Sequence, residues 1–158
     1  MSLSFAVTLA TRYLLVMLFF PFSALDKALN FGGAVTQARE RCATDRTAKL
    51  LILGGLFIEI AMPLGILTGV ADRLAALVMA GYCAITALLW KQFWRPGDFW
   101  RHGHSRGRDL FWDFLKNLSL AGGFLLITFG TTMATVDGFL SDPLASSHPY
   151  AANGSLGR

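Results

Sequence analysis

The chain has 158 residues, of which 54% are hydrophobic and 15% are charged, and its net charge at pH 7 is +4. About a quarter of the residues in a soluble domain are charged, so this composition excludes an ordinary soluble domain. The basic residues lie beside apolar blocks, where they set orientation and meet anionic lipid. We therefore expect a lipid bilayer as a partner, and no nucleic acid.

The apolar residues fall into four blocks of about 20 residues, the length at which a helix crosses a bilayer. Together these blocks predict an all-α fold, an integral membrane four-helix bundle in which a short hairpin joins helices 2 and 3. One transmembrane domain is predicted over residues 1–136. The predicted spans are about 3–25, 48–70, 74–94 and 118–136.

The first block is interpreted as a retained helix rather than a signal peptide, because Arg12 interrupts it and no small-residue cleavage site follows. A polar link of about 22 residues comes next. This link is predicted to be either a solvated loop or a short surface helix that carries Arg39 and Arg41 after the Gly32-Gly33 break. We favour the solvated loop.

Glu59 is the most unusual residue of the second block, because it is a carboxylate near the middle of an apolar span. A charge at that depth costs at least ~2.5–3.5 kcal/mol and often marks a functional site. Arg12 lies at a similar predicted depth and is the natural partner. Pro63 has no N–H, so it leaves the Glu59 carbonyl without its helical donor.

Two interpretations of an Arg12–Glu59 pair remain open. The pair either fixes the register of two helices or lines a pocket for a quinone head group, a proton or a small polar ligand. Asp72 and Arg73 are explained by the turn between the second and third helices, and Asp26 and Lys27 by capping and anchoring at a helix end.

The third link, residues 91–116, alternates aromatic and basic residues, a pattern typical of a belt at the membrane surface. Residues 137–158 are predicted to form a flexible polar tail. The two long links hold eleven Lys and Arg residues, against Arg73 and Arg158 on the other side. The positive-inside rule then places both links in the cytoplasm and both termini outside it.

Haem and metal chemistry receive little support from the sequence. The three histidines, His102, His104 and His148, lie outside the predicted spans, where they cannot serve as axial ligands of a membrane haem. Cys42 and Cys83 have no spacing typical of a metal site. We predict no metal site and assign no catalytic residue.

Four segments resemble, in order and spacing, the DoxX family of small four-helix bacterial membrane proteins. The resemblance covers about residues 8–130. Lys91-Gln-Phe-Trp94 departs from it, because the family often has His-x-Phe-Trp there. The segments are Arg12-Tyr-Leu-Leu with Ser23 and Asp26-Lys27, Ile58-Glu-Ile with Pro63-Leu-Gly and Leu67-x-Gly69, Asp72-Arg-Leu-Ala-Ala76, and Phe114-x-Lys116-Asn-Leu-x-Leu-Ala-Gly-Gly123.

The resemblance implies a four-helix fold in the bacterial inner membrane and membrane redox proteins as partners. It also implies that Arg12, Lys27, Glu59 and Arg73 are the candidate ligand- or quinone-binding residues. No covalently bound cofactor is expected, and quinone is the candidate ligand. We expect an accessory subunit of a membrane oxidoreductase that is not catalytic on its own. The alternative is a non-catalytic assembly or scaffold protein.

Overall fold

The computed structural model describes residues 2–151, and this part of the chain is folded into α-helices without a β-strand. The all-α prediction is confirmed. In chain order the helices are α1 (Leu3–Met17), α2 (Phe20–Leu29), α3 (Phe31–Arg39), α4 (Asp45–Thr68), α5 (Asp72–Trp90), α6 (Arg106–Phe129) and α7 (Met133–Ser141).

Within residues 2–151, four helical segments are long and apolar enough to cross a membrane, as the four apolar blocks predict. They are Leu3–Leu29, which comprises α1 and α2, together with Asp45–Thr68, Asp72–Trp90 and Arg106–Phe129.

The first segment is interrupted between α1 and α2. Pro21 lies in the first turn of α2, and because proline has no N–H, the Met17 carbonyl cannot form its i+4 hydrogen bond. The helix then resumes and ends at Leu29, four residues beyond the predicted end at Leu25. This extension carries Lys27 onto the same helix face as Ser23.

The link after the first segment is a helix, so the preferred prediction of a solvated loop is wrong. Helix α3 includes the Gly32-Gly33 pair that was expected to precede any helix. Val35 and Ala38 are buried against Ala48 of α4. This apolar contact offsets the low helix propensity of the two glycines.

A tight turn joins α4 to α5, as predicted. Gly69 ends α4 with a φ of 80°, in the left-handed region that favours glycine. Pro149, from the C-terminal segment, packs so closely that a Cβ on Gly69 would lie 3.1 Å from its ring. Both conformation and space therefore call for glycine here.

Helix α6 begins at Arg106, earlier than the predicted start at Leu118. The Ser105 side chain accepts a hydrogen bond from the Arg108 N–H and caps the helix. The Asp98 carboxylate accepts from the N–H groups of Arg106 and Gly107 at 2.9 and 2.8 Å. Hydropathy does not detect this first part of α6, because its residues alternate between aromatic and charged.

The segment after α6 contains a further helix and a strap. Helix α7 begins within the predicted fourth span and ends at Ser141, inside the predicted tail. Residues 142–151, here called the C-terminal strap, return to the α4–α5 turn, where the Tyr150 hydroxyl donates to the Leu67 carbonyl. Residues 152–158 of the predicted tail lie outside the described residues.

The core joins the four long segments, and α5 and α6 form the most extensive helix pair. Arg41 donates a hydrogen bond of 3.0 Å to Gln92, which places the first and third links at the same end of the molecule. The buried apolar residues at the centre are Val16, Phe20, Ile66, Ala75, Ala76, Met79, Ala80, Cys83, Ala121 and Phe124.

Candidate functional site

Glu59 is the centre of a buried polar cluster. Glu59 is only 1% exposed. Its side-chain oxygen Oε1 accepts three hydrogen bonds. The donors are Lys27 Nζ at 2.6 Å, Ser23 Oγ at 2.9 Å and Tyr82 Oη at 2.9 Å. We call Ser23, Lys27, Glu59 and Tyr82 the Glu59 cluster. It joins α2, α4 and α5.

Helical spacing explains how α2 contributes two of these donors. Ser23 and Lys27 are four residues apart, so they lie one above the other on the same face. Lys27 Nζ also donates to Ser23 Oγ at 2.8 Å and lies 3.4 Å from Tyr82 Oη. The ammonium group is therefore held by three oxygens, one of them charged.

A glycine makes room for the third donor. A Cβ on Gly55 would lie 3.3 Å from the Tyr82 hydroxyl oxygen. Gly55 is one helical turn before Glu59 on α4, so the phenol crosses the α4 backbone at Gly55 to reach the carboxylate. The close approach of α4 and α5 thus depends on a residue without a side chain.

The second carboxylate oxygen of Glu59, Oε2, differs from Oε1 because no donor in the described part of the chain reaches it. Oε2 is buried and has no hydrogen-bond partner among residues 2–151. A buried acceptor without a donor is costly, and it is the one unmatched position in an otherwise well-bonded cluster. The Lys27 side chain is 25% exposed, so the cluster reaches the protein surface along this residue.

The predicted Arg12–Glu59 pair is wrong. Arg12 Nη1 lies 2.7 Å from Asp72 Oδ2 and donates to the Ile66 carbonyl at 2.6 Å. Ser147, from the C-terminal strap, accepts from Arg12 Nη2 at 2.8 Å and donates its hydroxyl proton to Asp72 Oδ2 at 2.5 Å. Asp72 is fully buried, so the turn alone does not explain it.

The register of the first segment against α4 explains this difference. Arg12 contacts Ile66, seven residues after Glu59, which is about 10 Å along a helix. Ser23 and Lys27 are the residues of the first segment that donate to Glu59. The positions of Arg12 and Glu59 in their apolar blocks predicted that the two residues lie at the same depth. In the structure, the first segment packs on α4 with Arg12 about two helical turns away from Glu59.

Arg73 belongs to neither polar group. Its Nε donates to the Thr128 carbonyl at 2.8 Å, and its Nη2 donates to the Thr135 carbonyl. The guanidinium carbon lies 5.3 Å from the centre of the Phe139 ring, a cation–π distance. Arg73 therefore ties the start of α5 to the end of α6 and to α7.

Of the four candidate residues, the structure brings together only Lys27 and Glu59. Tyr82 was missed, because a single tyrosine in an apolar span has no pattern of its own. The Ser23-x-x-x-Lys27 spacing was the available signal for the α2 side, since it places both polar groups on one face.

The cluster holds one position that is open to a hydrogen-bond donor of a ligand, Glu59 Oε2. The Tyr82 hydroxyl proton is already donated to Glu59 Oε1, and the Lys27 ammonium already faces three oxygens of the cluster. A search of residues 2–151 for groups of three or more His, Cys, Asp or Glu that could hold a metal ion finds none.

Comparison of the chain with protein-family models, with curated proteins and with solved structures finds no match. The DoxX resemblance thus stays a prediction. The four long apolar helices suggest a multi-pass membrane protein.

Proposed function

We propose that this chain is a DoxX-like protein of the bacterial inner membrane and an accessory subunit of a membrane oxidoreductase. In this proposal a four-helix bundle spans the bilayer, and the Glu59 cluster contacts quinone. The cluster replaces the Arg–Glu pair expected from the sequence. One observation carries the proposal: Glu59 Oε2 is buried beside an ammonium and a phenol and has no donor within residues 2–151.

The cluster meets the two redox forms of a quinone in different ways. A quinone carbonyl accepts a hydrogen bond, so Lys27 or Tyr82 must turn one N–H or O–H away from its present acceptor in the cluster to bind it. A quinol hydroxyl donates, and Glu59 Oε2 can accept. These contacts bind and orient the ring, and they assign no catalytic residue to this chain.

The distribution of charge supports the proposed orientation. The Arg41–Gln92 hydrogen bond places the two basic links at one end, and the positive-inside rule assigns that end to the cytoplasm. Both termini then lie outside the cytoplasm. Partners of this subunit would be other membrane or membrane-associated redox proteins.

A second candidate, an assembly or scaffold protein, is favoured by the bonding of Arg12. Its guanidinium, Asp72 and Ser147 satisfy one another and connect α1, α5 and the C-terminal strap. Such a group stabilises one arrangement of the helices without an open position for a ligand. Under this alternative the Glu59 cluster has the same structural role.

Photolabelling separates the two candidates. The purified protein, in detergent or reconstituted in vesicles, is irradiated with an azido-quinone, and the labelled peptides are identified by mass spectrometry. We expect labels on α2, α4 or α5 near Ser23, Glu59 or Tyr82, and competition by unlabelled quinone. Labels elsewhere, or labels that excess quinone does not remove, would favour the scaffold.

Two conservative variants make the test specific. Glu59→Gln removes the carboxylate charge while keeping its size, and Tyr82→Phe removes one donor. Both should insert normally but lose labelling and lower the quinone-dependent turnover of the purified complex. Gly54→Ala is the matched control, because a Cβ there meets no atom within 4 Å. Unchanged turnover with an intact complex argues against a quinone site.

A further inference from the structure

The third link is a folded surface rather than an open loop. Phe93 lies at its centre, with ring centroids 5.0 Å from Trp94, 6.0 Å from Phe99 and 5.0 Å from Phe111. Arg108 fixes the backbone by donating to the carbonyls of residues 99 and 101 at 2.8 and 2.6 Å. The positions of the neighbouring side chains are therefore set before any partner binds.

An open apolar concavity of about 320 Å³ lies on this surface. Trp100 is 90% exposed and Trp94 is 51% exposed, so two large aromatic rings face outward. Exposure of tryptophan is typical of the membrane interface, where one side of the ring is apolar and the other is hydrated. The lining residues are Phe93, Trp94, Gly97, Phe99 and Trp100.

The acidic residues near this concavity already have partners. Asp98 accepts from the backbone at the start of α6. Asp109 lies 3.1 Å from His104, and Asp113 lies 2.9 Å from Lys91 and 3.6 Å from Lys116.

Three arginines at the same surface lack such a partner. Arg95 and Arg101 directly follow the two exposed tryptophans, and Arg106 is in the first turn of α6; all three are exposed. Their guanidinium groups form no ion pair with the carboxylates of residues 2–151. The surface therefore combines uncompensated positive charge with an exposed apolar concavity.

We propose that this surface binds an anionic phospholipid. The lipid phosphate would meet the guanidinium groups of Arg95 and Arg101, which can donate two parallel hydrogen bonds to phosphate oxygens. The glycerol and the first part of an acyl chain would lie against Trp94 and Trp100. This amphipathic chemistry fits a lipid better than free phosphate, which has no apolar part to occupy the concavity. The proposal requires membrane insertion but not the Glu59 cluster.

The distribution of tryptophan provides a direct measurement. All four tryptophans, at positions 90, 94, 100 and 112, lie in or beside this link. The protein is reconstituted in vesicles that contain either brominated phosphatidylglycerol or brominated phosphatidylcholine at increasing mole fraction. Quenching of tryptophan fluorescence by bromine gives the relative affinity for the two lipids. At low salt we expect phosphatidylglycerol to be preferred by about fivefold or more.

The decisive variant is the double substitution Arg95→Gln with Arg101→Gln, which should bring the preference close to unity. The control is Arg46→Gln with Lys49→Gln, both within the first five residues of α4 and at the same end of the molecule. It removes the same charge away from the concavity and should retain most of the preference. Inorganic phosphate at millimolar concentration should compete only weakly if the acyl chain contributes.

Three other results of the quenching experiment would contradict the proposal. Equal quenching by the two lipids in the unaltered protein overturns the lipid site while leaving membrane insertion intact. An equal loss of preference in both double variants also overturns it, because bulk charge would then explain the effect. Absence of quenching by either lipid contradicts the proposed membrane position itself.

Discussion

The Lys27 ammonium lies 2.6 Å from Glu59 Oε1, although the two residues are 32 positions apart in the chain. Lys27 lies in the part of α2 that extends beyond the predicted end of the first span at Leu25. Lys27 is therefore the cation beside Glu59, and Arg12 pairs with Asp72 instead.

Replacing Lys27 by Met should lower the free energy of unfolding by about 3 kcal/mol, since it leaves a buried carboxylate without its cation. The partial exposure of the lysine keeps this value at the low end of the usual range. The measurement is unfolding in mixed detergent micelles, followed by circular dichroism.

The double variant Lys27→Met with Glu59→Leu serves as its control. Removing both charges together should restore most of the lost stability, because a buried ion pair is often replaced by apolar residues at little cost. A double variant as unstable as Lys27→Met alone would contradict the pairing.

Arg12 should couple energetically to Asp72 and not to Glu59. In double-mutant cycles, Arg12→Met and Asp72→Asn should show an interaction energy of about 1 kcal/mol or more, because the residues are in contact. Arg12→Met and Glu59→Gln should be additive within about 0.5 kcal/mol. The opposite result would restore the pairing expected from the sequence.

Gly55→Ala should disturb the Glu59 cluster, whereas Gly54→Ala should not. Both substitutions gain up to about 1 kcal/mol of helix propensity, but only the Cβ at Gly55 would lie 3.3 Å from the Tyr82 hydroxyl oxygen. We expect Gly54→Ala to be stabilising and Gly55→Ala to be clearly less stable than it. Equal unfolding midpoints would mean that Tyr82 moves without cost.

The start of α6 should be sensitive to acid. The Gly107 N–H, followed by that of Arg106, lowers the pKa of Asp98 below its usual value of 3.8. Because the Asp98 pKa is lower in the folded protein than in the unfolded chain, the ionised carboxylate stabilises the folded link at any pH above the unfolded pKa. This contribution is lost as the pH falls through the folded pKa. Tryptophan fluorescence should therefore change below about pH 4 and not at pH 5–7.

Asp98→Asn removes this titration and should abolish the acid transition. Because the amide oxygen can still accept one hydrogen bond, the link should remain folded at neutral pH. A transition that persists in the variant would assign it to another carboxylate.

The four apolar segments could be predicted because hydropathy depends only on local composition. Glu59 and Arg12 were recognised for the same reason, as charges in apolar surroundings. Their partners were not, because pairing depends on the axial register of neighbouring helices. That register is set by side-chain packing, for example of Val16 and Phe20 against the core. The centre of an apolar block in the sequence does not indicate how the helix is shifted along its neighbour.

Short amphipathic elements were the second source of difference. Helix α3 and the start of α6 are polar enough to resemble loops, and each is held by contacts from outside its own helix. Val35 packs on α4, and Asp98 binds the α6 N-terminus across the link. Capping by Ser105 was readable in principle, since serine before a helical run is a common start signal.

The Arg12 interaction has a consequence for the order of events during synthesis. Its acceptor at Ile66 follows 54 positions later and its hydroxyl partner Ser147 follows 135 positions later. At about 5–20 residues per second, the guanidinium waits about 7–27 s for that last partner. Its carboxylate partner Asp72 follows 60 positions after Arg12, so for about the first 3–12 s the first helix must hold an uncompensated cation. The ribosome therefore delivers the cation of this ion pair first, and its hydroxyl partner Ser147 arrives among the last residues that the structure describes.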